Sequence, residues 1–409
     1  MIASRRFDIV LFGATGFTGQ LTAEYLARAS FSSKFHFAIA GRSRQKLKRL
    51  QRRLVSINPA LSDQIGLIKA DARKPGELAQ MAASAKVVLS TAGPFVHHGE
   101  LLVKACIDAG AHYADITGEP EFVDGLRIRC DEAAAARKVK IINCCGFDSI
   151  PHDFGAFYTV QQLTRGLSNE SVQNSDLAVE GFVSASGRLS GGTLSSAIHA
   201  FSRVKTYLLQ RSDLDKPDTE RVIRPMFPKL SKREVLDAWA CPFPTIDPQI
   251  ILRSAANDPR YGGRFTYGHY VKVESLLRIV GGAAFLGGVF ALSQIRASRE
   301  WLLSKAGSNA GPSEHRRAKS WFEVIFRGEL SLEGDEPEER EVLTSVSGKD
   351  PGYDETAKML AETGLCLVQD ARRLPKVYGV VTPVMGLGEP MLKRLQASGI
   401  KFRLLEEHR

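Results

Sequence analysis

Phe7-Asp8-Ile9-Val10-Leu11-Phe12-Gly13-Ala14-Thr15-Gly16-Phe17-Thr18-Gly19 is the stretch on which the fold turns. An apolar run stops at a glycine, two further glycines follow at intervals of three, and helix-forming sequence begins at once. Strand, tight turn and helix in that order are the setting in which a glycine-rich turn holds a dinucleotide. Gly13 permits the sharp turn, Gly16 lets a pyrophosphate approach the backbone, and Gly19 lets helix pack closely on strand. The helix N-terminus then presents N–H donors to phosphate. Gly13, Ala14, Thr15, Gly16, Phe17, Thr18 and Gly19 are therefore the expected phosphate-binding residues. The spacing is G-x-x-G-x-x-G rather than G-x-G-x-x-G, a departure found in several groups that use NADP. The alternative is a tight connection that holds nothing.

Outward from this turn, short β-branched runs alternate with helical stretches. Strands are expected at 7–12, 35–40, 65–70, 87–91, 113–116 and 140–144, and helices at 19–29, 44–55, 75–84, 99–109 and 121–137. That alternation predicts an α/β fold, a Rossmann-type doubly wound parallel sheet, over residues 1–150. Beyond 150 the regularity breaks at Gly191-Gly192 and at Pro217, Pro225, Pro228, Pro242, Pro244 and Pro248. Residues 151–377 read as a second α+β domain with a mixed or antiparallel sheet, for substrate or oligomerisation. It would include strands at 321–330 and 342–347, an exposed loop at 304–317 and a helix at 356–367. Residues 378–409 read as a C-terminal segment returning to pack on the Rossmann domain.

The second strand ends in Gly41-Arg42-Ser43, where an enzyme using NAD places an acid for the ribose 2′-hydroxyl. Arg42 and Ser43 instead offer a guanidinium fork and a hydroxyl, the chemistry that a 2′-phosphate needs. NADP(H) is the expected cofactor. Ser43 also suits a helix N-cap, and the two roles can coexist. Asp71, at the end of the third strand, faces the adenine end of such a site or is a loop acid. Ala92, Gly93 and Pro94, after the fourth strand, let backbone run beside ribose and nicotinamide.

The chain has 55 Lys and Arg against 45 Asp and Glu, a net +10. This suits an anionic ligand, a carrier protein or a membrane surface. Neither zinc-ligand spacing nor an aromatic-basic pattern is present, so neither a metal nor nucleic acid is expected. Six dispersed cysteines without a C-x-x-C pair fit a reducing compartment. The first apolar run is too short for a signal peptide, so a cytoplasmic location is expected. The uncharged stretch 279–292, with two Gly-Gly pairs, is short for a membrane span. It is expected either to pack against another element or a second subunit, as in a homodimer, or to attach peripherally to a membrane or lipid.

The residues Gly13 to Gly19, Gly41-Arg42-Ser43, Gly93-Pro94-Phe95, Asp115-Ile116-Thr117-Gly118-Glu119 and Cys145-Gly146-Phe147-Asp148-Ser149-Ile150-Pro151 occur in one order. With Ser190-Gly191-Gly192-Thr193 and Gly379-Val380-Val381-Thr382-Pro383 they make the chain resemble the saccharopine dehydrogenase-like oxidoreductases over nearly its whole length. Within that family it is most similar to trans-acting enoyl reductases of polyketide-lipid assembly. The resemblance implies a Rossmann domain, a second domain with a mixed sheet, and NADP(H). It departs from its relatives at His97-His98, where they tend to carry an aromatic residue. His98 is thus a candidate proton donor or a surface residue. Asp148 and Ser149 are candidates for catalysis, or for capping the helix that continues from Pro151. Glu119 reads as a structural acceptor or a base.

None of the nine tyrosines has lysine four residues later, so the Tyr-x-x-x-Lys pair of short-chain ketoreductases is absent. The expected activity is NADPH-dependent reduction of the C=C bond of an unsaturated lipid-like or polyketide thioester, small or carrier-bound. The alternatives are a saccharopine-type amino-acid or imine reductase, and a membrane-peripheral Rossmann protein without turnover.

Overall fold

The computed structural model describes residues 5–186, 221–227, 229–233, 236–306, 311–332 and 337–408. Ser190-Gly191-Gly192-Thr193 and Pro217 lie outside these. Six parallel strands come from the N-terminal part: β1 Phe7–Phe12, β2 Phe37–Gly41, β3 Gly66–Lys69, β4 Ala85–Ser90, β5 His112–Asp115 and β6 Lys140–Ile142. They stand in the order β6-β5-β4-β1-β2-β3, the doubly wound arrangement, and Gly379–Val381 adds a seventh strand beyond β6. Alternate residues of β1 serve opposite faces, as strand geometry requires. Ile9 and Leu11 meet the core under α1 (Phe17–Ala29) and α2 (Arg44–Ile57). Val10 and Phe12 meet the core under α3 (Pro75–Ala83), α4 (Phe95–Ala109) and α5 (Pro120–Ala136). Each predicted strand and helix of this region is present, with ends moved by a few residues.

The chain leaves β6 through a turn and enters α6, Ile150–Leu163, which lies across the second sheet. That sheet contains β7 Ser175–Ser186, β8 Val222–Pro225, β9 Ser231–Arg233, β10 Ala238–Pro242, β11 Arg264–Val273, β12 Trp321–Leu332 and β13 Glu338–Gly348. β7 runs parallel to β11 and antiparallel to β12, so the sheet is mixed. β12 and β13 form the expected antiparallel pair. Gly155 permits the close approach of α6 to this sheet, since a Cβ there would stand 2.2 Å from the ring of Phe326. Arg340 of β13, itself buried, donates to the carbonyls of Leu163 and Arg165 at 2.9 and 2.7 Å and satisfies acceptors at the end of α6.

Three expectations need correction. The C-terminal segment divides: Gly379–Val381 (β14) joins the Rossmann sheet, but Lys401–His408 (β15) pairs with β13 in the second sheet. The predicted loop at 304–317 contains helix at both ends, Arg296–Ala306 and Glu314–Ala318. Arg317 pins the second of these by bonding the Pro312 carbonyl and Asp354 and lying over the Phe17 ring. Finally, of the fates open to the run 279–292, packing inside its own chain is met only in small part: it belongs to a longer helix, Leu276–Gln294, with Val289 and Ser293 buried and most of the rest exposed. Only 12% of its apolar window is buried, Leu277 and Phe285 are 83% and 63% exposed, and no atom lies within 4 Å of where a Cβ would stand on its four glycines.

Because the α6–β12 contact leaves no room for a side chain, Gly155→Val should lower stability by roughly 1–3 kcal/mol, the range for overpacked cores. Urea denaturation would show this as a reduced midpoint at unchanged slope, and an unchanged midpoint would contradict the packing described.

Candidate functional site

The glycine turn is built as its sequence demands. Gly13 has φ +80°, and a Cβ on it would stand 2.9 Å from the Ala92 amide nitrogen. On Gly19 a Cβ would stand 2.3 Å from the Gly13 carbonyl oxygen, so α1 sits directly against the turn. Thr91 ties β4 to the same turn: its hydroxyl donates to the Gly13 carbonyl at 3.1 Å and its amide to Phe12 at 3.0 Å. Gly16 occupies the N-cap of α1, no side chain caps that helix, and its first turn holds no acid. The amide end of α1 is therefore left to an external anion, to which the helix dipole adds attraction.

Around this turn lies a cleft of about 860 Å³ lined by Gly13, Thr15, Gly16, Phe17, Arg42, Asp71, Ala92, Gly93, Pro94 and His98, among others. Arg42 reaches it from the end of β2, exposed and without a hydrogen bond or ion pair among the described residues. Ser43 serves as N-cap of α2, accepting from the Lys46 amide at 3.4 Å, which is the structural role foreseen for it. Asp71 grips Arg73 through two side-chain bonds of 3.1 and 2.8 Å, which hold its carboxyl well below the usual range. It thereby fixes a second guanidinium at the cleft.

Lys46, Arg49 and Arg53 line the same wall and were not among the expected site residues. Spaced by three and four residues, they share one face of α2, beside Arg42 in the turn before it. That spacing was a readable signal. The donor set fits a 2′-phosphate at this end and a pyrophosphate at the α1 amides, so the residues present suit NADP(H).

At the other end the structure separates the catalytic candidates. His98 stands in the first turn of α4 and lines the cleft. Asp148 is half-buried, with Oδ2 3.1 Å from where a Cβ on Gly118 would be. Burial and the neighbouring Asp247 push its carboxyl upward. Ser149 stands at the N-cap of α6 with Pro151 in the first turn, but its side chain makes no capping bond, so capping is not what either residue does.

Glu119 proves to be the structural acceptor. Its carboxylate receives the amides of Phe95 and Val96 at 3.2 and 2.9 Å and so caps α4 from a neighbouring loop. Asp115 organises that loop, accepting from the Thr117 amide at 3.1 Å and the Asn143 side chain at 2.8 Å. Burial pushes its carboxyl up to about 7.

A strand-turn-helix with an uncapped amide end, Arg42 without an ion pair among the described residues and a cationic wall together mark a site for NADP. Comparison with known proteins agrees. Residues 9–140 match the family described as Saccharopine dehydrogenase NADP binding domain. Over 98% of both chains, the protein is 32% identical to a saccharopine dehydrogenase-like oxidoreductase of Bos taurus. It is 31% identical to a trans-acting enoyl reductase of Mycobacterium bovis over 97% of each chain. An apo saccharopine dehydrogenase (L-Glu forming) of Saccharomyces cerevisiae shares the fold over 98% of this chain and 100% of its own, with TM-score 0.55 and 13% identity. The chain belongs to the saccharopine dehydrogenase-like oxidoreductases.

Replacing Arg42 by alanine removes a charged donor that only the 2′-phosphate can use, worth about 1.5–3 kcal/mol. NADPH affinity should fall by about tenfold or more, and NADH affinity should hardly change. Calorimetric titration of both cofactors checks this, and equal losses would remove Arg42 from the assigned role.

Proposed function

We propose that this protein uses NADPH to reduce the carbon–carbon double bond of an unsaturated acyl thioester of lipid-like or polyketide type, free or on a carrier. The observation that carries this reading is the sorting of charge along the cleft. Every lysine and arginine lining it lies on the α2 side or at Arg73, while Thr91, Ala92, Gly93, Pro94 and His98 wall the other end without a fixed charge. Such an end suits an uncharged acyl chain. A saccharopine-type amino-acid or imine reductase would need basic side chains there for substrate carboxylates. The likeness to the enoyl reductase of Mycobacterium bovis supports the same choice.

The cofactor, when bound, supplies the hydride. The chain must hold the β-carbon against it, stabilise the enolate that develops and deliver a proton to the α-carbon. We assign the proton to His98, the imidazole that lines the cleft wall. In this reading Asp148 and Ser149 touch no substrate and instead shape the buried turn behind Gly118.

Six unpaired cysteines, five of them buried, support a cytoplasmic location, and Leu276–Gln294 supports attachment to a lipid surface. At 1.5 Å per residue this helix is roughly as long as a bilayer core is thick. Its window has mean hydropathy 1.8, and Arg278, Arg296 and Arg299 stand at its ends. A protein held at a membrane would meet lipid-like substrates there. The same apolar face could alternatively join two copies as a homodimer.

Loss of NADPH absorbance should follow addition of a 2-enoyl thioester but not of a keto acid with an amino acid. His98→Gln should lower kcat by about a hundredfold while leaving NADPH affinity within a factor of about two. Turnover of the keto acid pair alone would favour the saccharopine type, and no turnover at all would favour a binding protein. In cell fractionation the full chain should sediment with membranes at high salt, whereas a variant lacking 276–306 should stay in the supernatant. A full chain that stays soluble as a dimer would replace lipid attachment by self-association.

A further inference from the structure

Behind the catalytic end, three side chains from distant parts of the chain converge out of reach of solvent. His152 stands in the first turn of α6, Asp247 begins the helix Asp247–Asn257, and His269 lies midway along β11. Each side chain is 2% exposed. His152 Nδ1 lies 3.3 Å from Asp247 Oδ1, and His269 Nε2 lies 3.6 Å from Asp247 Oδ2. One donor atom from each residue falls within 4.8 Å of the other two.

Hydrogen bonding leaves this cluster incomplete in a particular way. Each imidazole has one nitrogen engaged: His152 Nδ1 meets the Phe147 carbonyl at 3.1 Å, and His269 Nδ1 meets the Tyr267 hydroxyl at 3.0 Å. Asp247 Oδ2 accepts from Thr245 at 2.5 Å. Nε2 of both histidines and Oδ1 of Asp247 are buried without a hydrogen-bond partner. Native structures seldom leave even one such atom unmatched, and here three belong to one cluster. Half-buried Asp148 adds a second carboxyl close enough to feel Asp247. No lysine or arginine pairs with either acid among the described residues.

We propose that His152, Asp247 and His269 bind one divalent transition-metal ion, Zn²⁺ foremost. Two imidazoles and a carboxylate are a donor set that Zn²⁺ accepts, and tetrahedral ligands about 2.0–2.1 Å from zinc stand roughly 3.3 Å apart, close to the separations seen. On His269 the Tyr267 hydroxyl holds Nδ1, the ring nitrogen opposite the one that faces Asp247, and so acts as an outer partner of the kind that orients a metal-bound histidine. A double positive charge would also balance Asp247 and Asp148 together. Because the ligands are closed to solvent, the ion is structural: it joins α6, the helix Asp247–Asn257 and β11 directly behind the 146–149 turn. The proposal rests on these residues alone and not on the identity of the substrate.

Elemental analysis of the full-length protein, purified without chelator, should find about one zinc per chain. After stripping, Zn²⁺ and Co²⁺ should each titrate in at 1:1 and raise the melting temperature. Asp247→Asn and, separately, His269→Gln should weaken this binding by roughly a hundredfold or more, while NADPH titration reports that each variant is folded. The proposal falls if stripped wild-type protein binds neither ion at 1:1. It falls equally if the folded variants bind as tightly as wild type, which would place the ion elsewhere.

Discussion

The carbonyl oxygen of Gly13 occupies the space that a side chain on Gly19 would need, 2.3 Å from where its Cβ would be. This contact seats α1 on the end of β1, and much of the cofactor cleft depends on it. It points the uncapped amide end of the helix across the carboxyl edge of the sheet, where ligands bind in open α/β folds. It brings Thr91 close enough to donate to the same carbonyl, so β4 and its Ala92-Gly93-Pro94 extension are fixed relative to the turn. A side chain at either glycine would lift the helix and widen each of these distances together.

This part of the molecule was readable because its constraints are local. A glycine must stand where a Cβ has no room, and an anion site must lack acids, so Gly13 to Gly19 and Arg42 announce themselves within a window of three or four residues. The basic face of α2 was present in the same way, at Lys46, Arg49 and Arg53, but a basic helical face is usually just solvated, and only the fold shows it turned toward the cleft. The roles of Glu119 and Asp148 were not readable. Glu119 caps a helix that begins earlier in the chain, and Asp148 is defined by burial behind Gly118, which no neighbour in sequence reveals.

Legibility fell further in the second domain. His152, Asp247 and His269 lie on separate elements, so no spacing announces them, and only the pairing of β11 with β7 and the packing of α6 bring them together. The apolar run 279–292 shows the opposite failure. Its composition was plain, but whether it packs inside or faces outward is decided by tertiary structure, and Leu276–Gln294 faces outward. At its carboxyl end the chain splits its allegiance, with β14 and the helix Thr356–Gln369 serving the first sheet and β15 the second.

That division has a consequence in time. The dinucleotide domain is not contiguous in the chain: its last strand, Gly379–Val381, and the helix Thr356–Gln369 against α1 are made after the whole middle of the protein. At a synthesis rate of about 5–20 residues per second, the first six strands wait on the order of ten to fifty seconds for these pieces to leave the ribosome. During that interval β6 is an unpaired edge of β-branched residues, the kind of surface on which nascent chains associate wrongly. Newly made chains of this protein thus carry an unfinished sheet edge for a period whose length is set by the order of the segments in the chain.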